Sequence, residues 1–248
     1  FYLQPKSLDE AGYRNEWALS LNIFAIMLLL VVVHNIANSI GEKYGFLKGF
    51  IFLAGIIVFF RGISYYFENT LGWRQSELFD PSIYSSSAFL PSLGDLLINA
   101  FLFCWILLFV YRRSNSIKLF RFRDGFMRWP LVALGALLMV GITFSFAVVI
   151  RSLIADARIS FNVTNFFSLD IYSFLGFVVL ATLALSYFLA TSVIMQALSP
   201  LLNKEAYFLY ALMAGFGLLV ISFTRSSNLV ELNIFVLVWL LVYRSEER

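Results

Sequence analysis

Long apolar runs separated by short polar or charged breaks organise this chain along its whole length. Seven such runs fall at 17–38, 44–60, 92–111, 130–150, 171–198, 206–224 and 229–243. The first six are close to the ~20 residues that an α-helix needs to cross the hydrocarbon core of a bilayer. Apolar positions within them are continuous rather than alternating every second residue, so the pattern predicts helices and not the strands of a membrane barrel. The last run is short and holds Glu231 and Asn233. It crosses only if those side chains lie in the outer interface and the bilayer thins around them, so a six-span arrangement is the alternative.

Composition narrows the reading to a membrane protein. Of 248 residues, 60% are hydrophobic and 13% charged, against about 25% charged in a soluble domain. That much apolar surface requires lipid. The expected fold is all-α, a polytopic transmembrane helical bundle of about seven spans in which 1–248 forms a single transmembrane helical domain. Phe1 stands where an initiator methionine would, and no basic region with a cleavage site precedes the first run, so the chain reads as a fragment or a processed product. The single cysteine, Cys104, lies inside an apolar run; it can form neither an intrachain disulfide nor a cysteine metal site and reads as a small core residue.

Charge gives the bundle a direction. Between the third and fourth runs stand Arg112, Arg113, Lys118, Arg121, Arg123 and Arg128 against Asp124 alone. The positive-inside rule places this segment in the cytoplasm, with the N-terminus outside and the C-terminus cytoplasmic. Phe120, Phe122, Phe126 and Trp129 interleave with these cations, but anionic headgroups are the nearer partner for a basic segment flanking a span, so the lipid bilayer is expected there and no nucleic acid. The long external connection 61–91 carries Tyr65, Tyr66, Phe67, Trp73, Phe79 and Tyr84. It is expected to form short interfacial helices with the aromatics at headgroup depth, a ligand-binding lid being the alternative.

Few residues could carry chemistry. His34 is the only histidine, with Asn35 and Asn38 close behind it. One histidine cannot assemble a metal site, so these three are expected to hydrogen-bond between helices, with a proton-linked role as the alternative. Asp95 and Asn99 stand four apart, on one helical face near the external end of the third run. Arg61 and Arg151 also fall at external span ends, and the reading is either structural pairing of Asp95 with one of them or an external ligand or ion site. Gly45 and Gly49 form a G-x-x-x-G, and Gly215 and Gly217 lighten the sixth run, which points to close helix packing. No H-E-x-x-H, no rhomboid-type serine motif and no second intramembrane aspartate accompany Gly94-Asp95, and phosphate loops and dinucleotide fingerprints are missing. Neither a catalytic motif nor a cofactor is expected.

The stretch Leu78-Phe79-Asp80-Pro81, then Tyr84-Ser85-Ser86-Ser87, then Leu90-Pro91-Ser92-Leu93-Gly94-Asp95-Leu96-Leu97-Ile98-Asn99-Ala100, resembles the membrane-embedded sensor portion of certain bacterial sensor histidine kinases. Elsewhere the likeness is only a similar run of spans. The resemblance implies a sensor domain in a bacterial inner membrane that acts as a homodimer and passes a signal to a cytoplasmic kinase and response-regulator pathway. The family's phosphorylated histidine and ATP-binding boxes have no counterpart, so no catalytic residue carries over. The leading expectation is a membrane sensor relaying an external or membrane-borne signal; a small-solute transporter or channel is the alternative, and a subunit that only assembles with partners is the third.

Overall fold

The computed structural model describes residues 16–66, 77–87, 90–114, 125–155, 157, 159, 170–202 and 204–224. Among these, regular structure is helical: α1 (Glu16–Tyr44), α2 (Phe46–Tyr66), α3 (Leu93–Ser114), α4 (Gly125–Ala155), α5 (Ile171–Leu198) and α6 (Lys204–Thr224). Short 3-10 turns lie at Glu77–Phe79 and Ser199–Leu201. The fold is an all-α transmembrane bundle. Phe24–Tyr44, Phe46–Tyr66, Leu93–Arg113, Arg128–Ala155 and Ile171–Leu201 are long and apolar enough to cross a membrane, and Ala206–Val220 is a shorter apolar helix. The seventh expected run, 229–243, lies outside the described residues. The chain divides into two compact units, Phe1–Gln75 and Ser76–Arg248.

The first unit is a helical hairpin. Its first span is expected to stop at Asn38, where polar residues begin, yet α1 continues to Tyr44. Polar side chains weaken a helix by about 0.5 kcal/mol each, too little to end it. Gly45 ends it, with a φ of 101° that glycine adopts freely and a side chain would strain. Its carbonyl accepts from the amides of Lys48 and Gly49 at 3.1 and 3.4 Å and so starts α2. Gly45 is therefore the turn, and close packing falls to Gly49 with a different partner. A β-carbon at Gly49 would lie 2.5 Å from the Ala37 carbonyl oxygen and 2.9 Å from the Gly41 Cα.

The second unit packs α3 on α5, α5 on α4 and α4 on α6. α5 shows why this arrangement suits lipid. It buries Ser173, Gly176, Ser186, Ala190, Thr191 and Ser192, while Ile171, Phe174, Leu185 and Phe188 stand exposed. Small residues let backbones approach, and large apolar ones face hydrocarbon at no penalty. Two of the buried hydroxyls satisfy themselves within the helix: Ser186 donates to the Thr182 carbonyl and Thr191 to that of Tyr187. α4 begins at Gly125, before the expected start at Pro130, and carries that proline in its second turn, where one backbone hydrogen bond is lost.

Two buried clusters divide this unit along its length. One joins Leu93, Leu96 and Ala100 of α3 to Phe146 and Leu153 of α4 and Val179 and Leu183 of α5, with Tyr84 from the preceding loop. The other joins Val132, Met139 and Val140 of α4 to Met195 and Leu198 of α5 and Tyr210, Ala214 and Leu218 of α6. At that end Arg128 donates from Nε to the Leu201 carbonyl at 2.8 Å, putting a cation on the carbonyl end of the α5 extension. Cys104 is a free, buried thiol on α3.

Candidate functional site

Polar side chains of the second unit gather where the 77–90 loop meets the starts of α3 and α5 and the end of α4. The two helix starts use the same device with the residue types exchanged. Ser92 precedes α3; its Oγ accepts from the Asp95 amide at 3.1 Å and donates to the Asp95 carboxylate at 2.7 Å. Asp170 precedes α5; its carboxylate accepts from the Ser173 amide at 2.7 Å and from the Ser173 hydroxyl at 2.9 Å. Each satisfies an amide that a helix N-terminus would leave unpaired, and each puts a carboxylate at the positive end of the helix dipole.

The loop is tied to both helices and to α4. The Tyr172 hydroxyl, in the first turn of α5, donates to the Glu77 carboxylate. Tyr84 is fully buried, and its hydroxyl lies 2.9 Å from that of Ser152 on α4. Ser152 already donates its proton to the Val149 carbonyl, so Tyr84 is the donor of the pair. Phe79 lies against Gly94, where a β-carbon would come within 2.8 Å of its ring. Asp80 accepts from the Ser82 amide at 2.8 Å, and that bond holds its carboxyl below the usual aspartate range. The result is a polar collar around the apolar cluster of Tyr84, Leu93 and Leu153.

The six residues singled out from sequence are divided between the two units, Asp95, Asn99 and Arg151 in the second and His34, Asn35 and Arg61 in the first. Asp95 is buried in the collar in the first turn of α3, where it accepts from the capping Ser92, with Asn99 half-buried one turn further on. Arg151 is exposed near the end of α4. His34 is half-buried on α1, and the Asn35 carbonyl accepts from Ser39. Arg61 is engaged along α2, donating to Ser64 at 3.2 Å and Tyr65 at 3.0 Å and lying 4.3 Å from the Tyr65 ring centroid.

Sequence reading missed Glu77, Ser92, Ser152, Asp170, Tyr172 and Ser173. The pairs S-x-x-D at 92–95 and D-x-x-S at 170–173, each just ahead of an apolar run, were visible signals. Tyr84 was expected at headgroup depth with the other loop aromatics, but the structure places it in the core because its hydroxyl has an acceptor there and its ring is enclosed by α3 and α4. For the 77–90 part of the connection, the expected short helices reduce to the single 3-10 turn Glu77–Phe79; residues 67–76 lie outside the described residues.

Neither a curated protein nor a solved structure matches the chain. The family model described as 7 transmembrane receptor (Secretin family) matches residues 17–179. This overturns the likeness to bacterial sensor histidine kinases, whose specific part was residues 78–100. The structure gives a physical reason for that misreading. Asp80, Tyr84, Ser92, Gly94 and Asp95 in that stretch turn the loop, cap α3 and seal the collar, tasks that a loop entering a membrane helix sets in any bundle. With the likeness goes the ground for a two-component pathway and for a bacterial inner membrane. The match extends across α1 to α4 and into α5, well over half of the sequence, and on it the chain belongs to the secretin family of seven-transmembrane receptors.

Proposed function

We propose that this membrane receptor takes its signal at the collar and passes it along α3, α4 and α5 to the opposite, cytoplasmic end. The basic segment 112–128 then faces the cytosol and the 77–90 loop faces outside, as the distribution of Lys and Arg favours. The observation that carries the reading is the collar itself: one loop is bonded to α4 through Tyr84 and to α5 through Glu77, and it leads directly into α3. A ligand that prefers one arrangement of this loop biases all three helices together, and only such differential binding can shift a receptor between states.

Receptors of this family usually couple to G proteins, which makes them the proposed cytoplasmic partner. The test is nucleotide exchange by a panel of purified Gα subunits on membranes containing the full chain. Faster exchange than on empty membranes, altered by Tyr84→Ala, is the expected result. Exchange no faster than on empty membranes for every subunit would overturn the proposed coupling, and solute flux through reconstituted vesicles would turn the reading toward transport.

A further inference from the structure

We propose that the α1–α2 hairpin binds one anionic phospholipid, with the headgroup at Lys43, Tyr44 and Lys48 and an acyl chain laid along α1 toward Val32. The site lies wholly within the first unit and does not depend on the receptor reading. A shallow, open groove runs along one face of α1, with Val32, Asn35, Ile36, Ser39 and Ile40 along its length and Lys43 and Tyr44 at its end. Its residues cover 32–44, about 18 Å at the helical rise of 1.5 Å per residue. One leaflet of the hydrocarbon core is about 15 Å deep. The groove therefore matches one leaflet in length, with its charged end at the interface and Val32, Ile36 and Ile40 available to an acyl chain.

The charged end is built for an anion. The Lys43 and Lys48 ammonium groups lie 5.3 and 5.7 Å from the centroid of the same Tyr44 ring. All three residues are exposed, at the end of the span Phe24–Tyr44. Both ammonium groups stand beside one ring, and each attracts a phosphate placed at that ring. The hairpin turn does not oppose this attraction. α2 has no acidic residue in its first turn, and Gly45 before it has no side chain to offer, so no carboxylate of that turn competes with a phosphate. Glu42 is the neighbouring carboxylate, which leaves the two lysines in excess by one charge. Deeper in the groove the Ser39 hydroxyl donates to the Asn35 carbonyl at 3.0 Å, so its proton is not presented to an acyl chain. The rival occupant is a second copy of the chain, because an Asn side chain on a lipid-facing surface can bond across a helix pair.

The test is native mass spectrometry of the full chain in mild detergent, titrated with phosphatidylglycerol or with phosphatidylcholine of the same acyl chains. The expected result is a retained one-lipid adduct with phosphatidylglycerol, weakened about thirtyfold by Lys43→Gln with Lys48→Gln. Ile36→Trp, which fills the apolar part of the groove and leaves both charges, is expected to weaken it as well. With Arg112→Gln and Arg113→Gln, which weaken headgroup attraction at the other basic segment, the adduct is expected to keep its dependence on Lys43 and Lys48. Equal binding of phosphatidylcholine, or an adduct indifferent to the lysine and Ile36 variants, overturns the proposal. So does efficient intermolecular disulfide formation by Ser39→Cys, in a Cys104→Ala background, without any lipid adduct; that outcome assigns the face to a second copy.

Discussion

Tyr84 and Ser152 stand 68 positions apart in the chain, and their hydroxyls meet at 2.9 Å inside the bundle. This bond fastens the loop before α3 to the last turns of α4. Removing the hydroxyl alone, in Tyr84→Phe, is expected to lower stability by about 0.5–1.5 kcal/mol, toward the low end because Ser152 keeps its own donation to Val149. Tyr84→Ala also empties the ring's place in the core and is expected to lower it by about 3–5 kcal/mol. Unfolding in mixed micelles with increasing dodecyl sulfate measures both. Similar losses for the two variants would show that the ring is not packed as described.

Two glycines are expected to respond differently to the same methyl group. At Gly49 the neighbours of a new β-carbon are backbone atoms of Ala37 and Gly41, so the α1–α2 hairpin must open for Gly49→Ala to fit. At Gly135 the neighbours are the two methyls and Cγ of the buried Leu198 side chain, which can shift more readily than backbone can. The loss is expected to be about 1–3 kcal/mol for Gly49→Ala and under about 1 kcal/mol for Gly135→Ala in the same assay. The reverse order would sink the close-approach argument.

Both capping serine–aspartate pairs are expected to hold the first turns of their helices. Ser92→Ala and Asp170→Ala should each lower stability by about 1 kcal/mol. The local signature is faster hydrogen exchange at the Asp95 amide in the first variant and at the Ser173 amide in the second. Unchanged exchange at those two amides would remove the caps from the account.

The loop turn at Asp80 should depend on acid in one direction. The folded carboxyl titrates below its ordinary value because the Ser82 amide donates to it. A group with a depressed folded pKa contributes stability above its unfolded pKa and loses it as the pH falls through the folded one. The turn is therefore expected to stay intact at neutral pH and to loosen below the usual aspartate range. Asp80→Asn, which keeps the acceptor oxygen, should abolish this local change, as read from exchange at the Ser82 amide between neutral pH and pH of about 3. Identical acid responses in the two proteins would show that another carboxyl is responsible.

The helices were legible in the sequence because lipid demands long apolar runs, and the expected fifth run coincides with α5 at Ile171–Leu198. Their ends were less legible. Polarity places the interface, whereas geometry ends the helix, and at α1 the two differ by the distance from Asn38 to Gly45. The collar was hidden for another reason. Tyr84, Ser152, Glu77 and Tyr172 meet only after the chain has crossed and returned, and nothing in their local spacing announces the pairings. Asp95 was found because a carboxylate near an apolar run stands out, but its bond to Ser92 is a short-range pattern that charge alone does not reveal.

Tyr187 packs against both buried clusters of the second unit. Its hydroxyl donates to Thr143 at 3.1 Å, since Thr143 gives its own proton to the Met139 carbonyl, and its ring meets Phe146 edge-on. Close-packed layers do not deform smoothly; a side chain shared by two of them forces both to rearrange together. A shift of the loop-side layer too slight to break any bond must therefore be answered on the far side, where Tyr210 lies fully enclosed. This half of the molecule turns on one ring, and its two ends cannot relax independently.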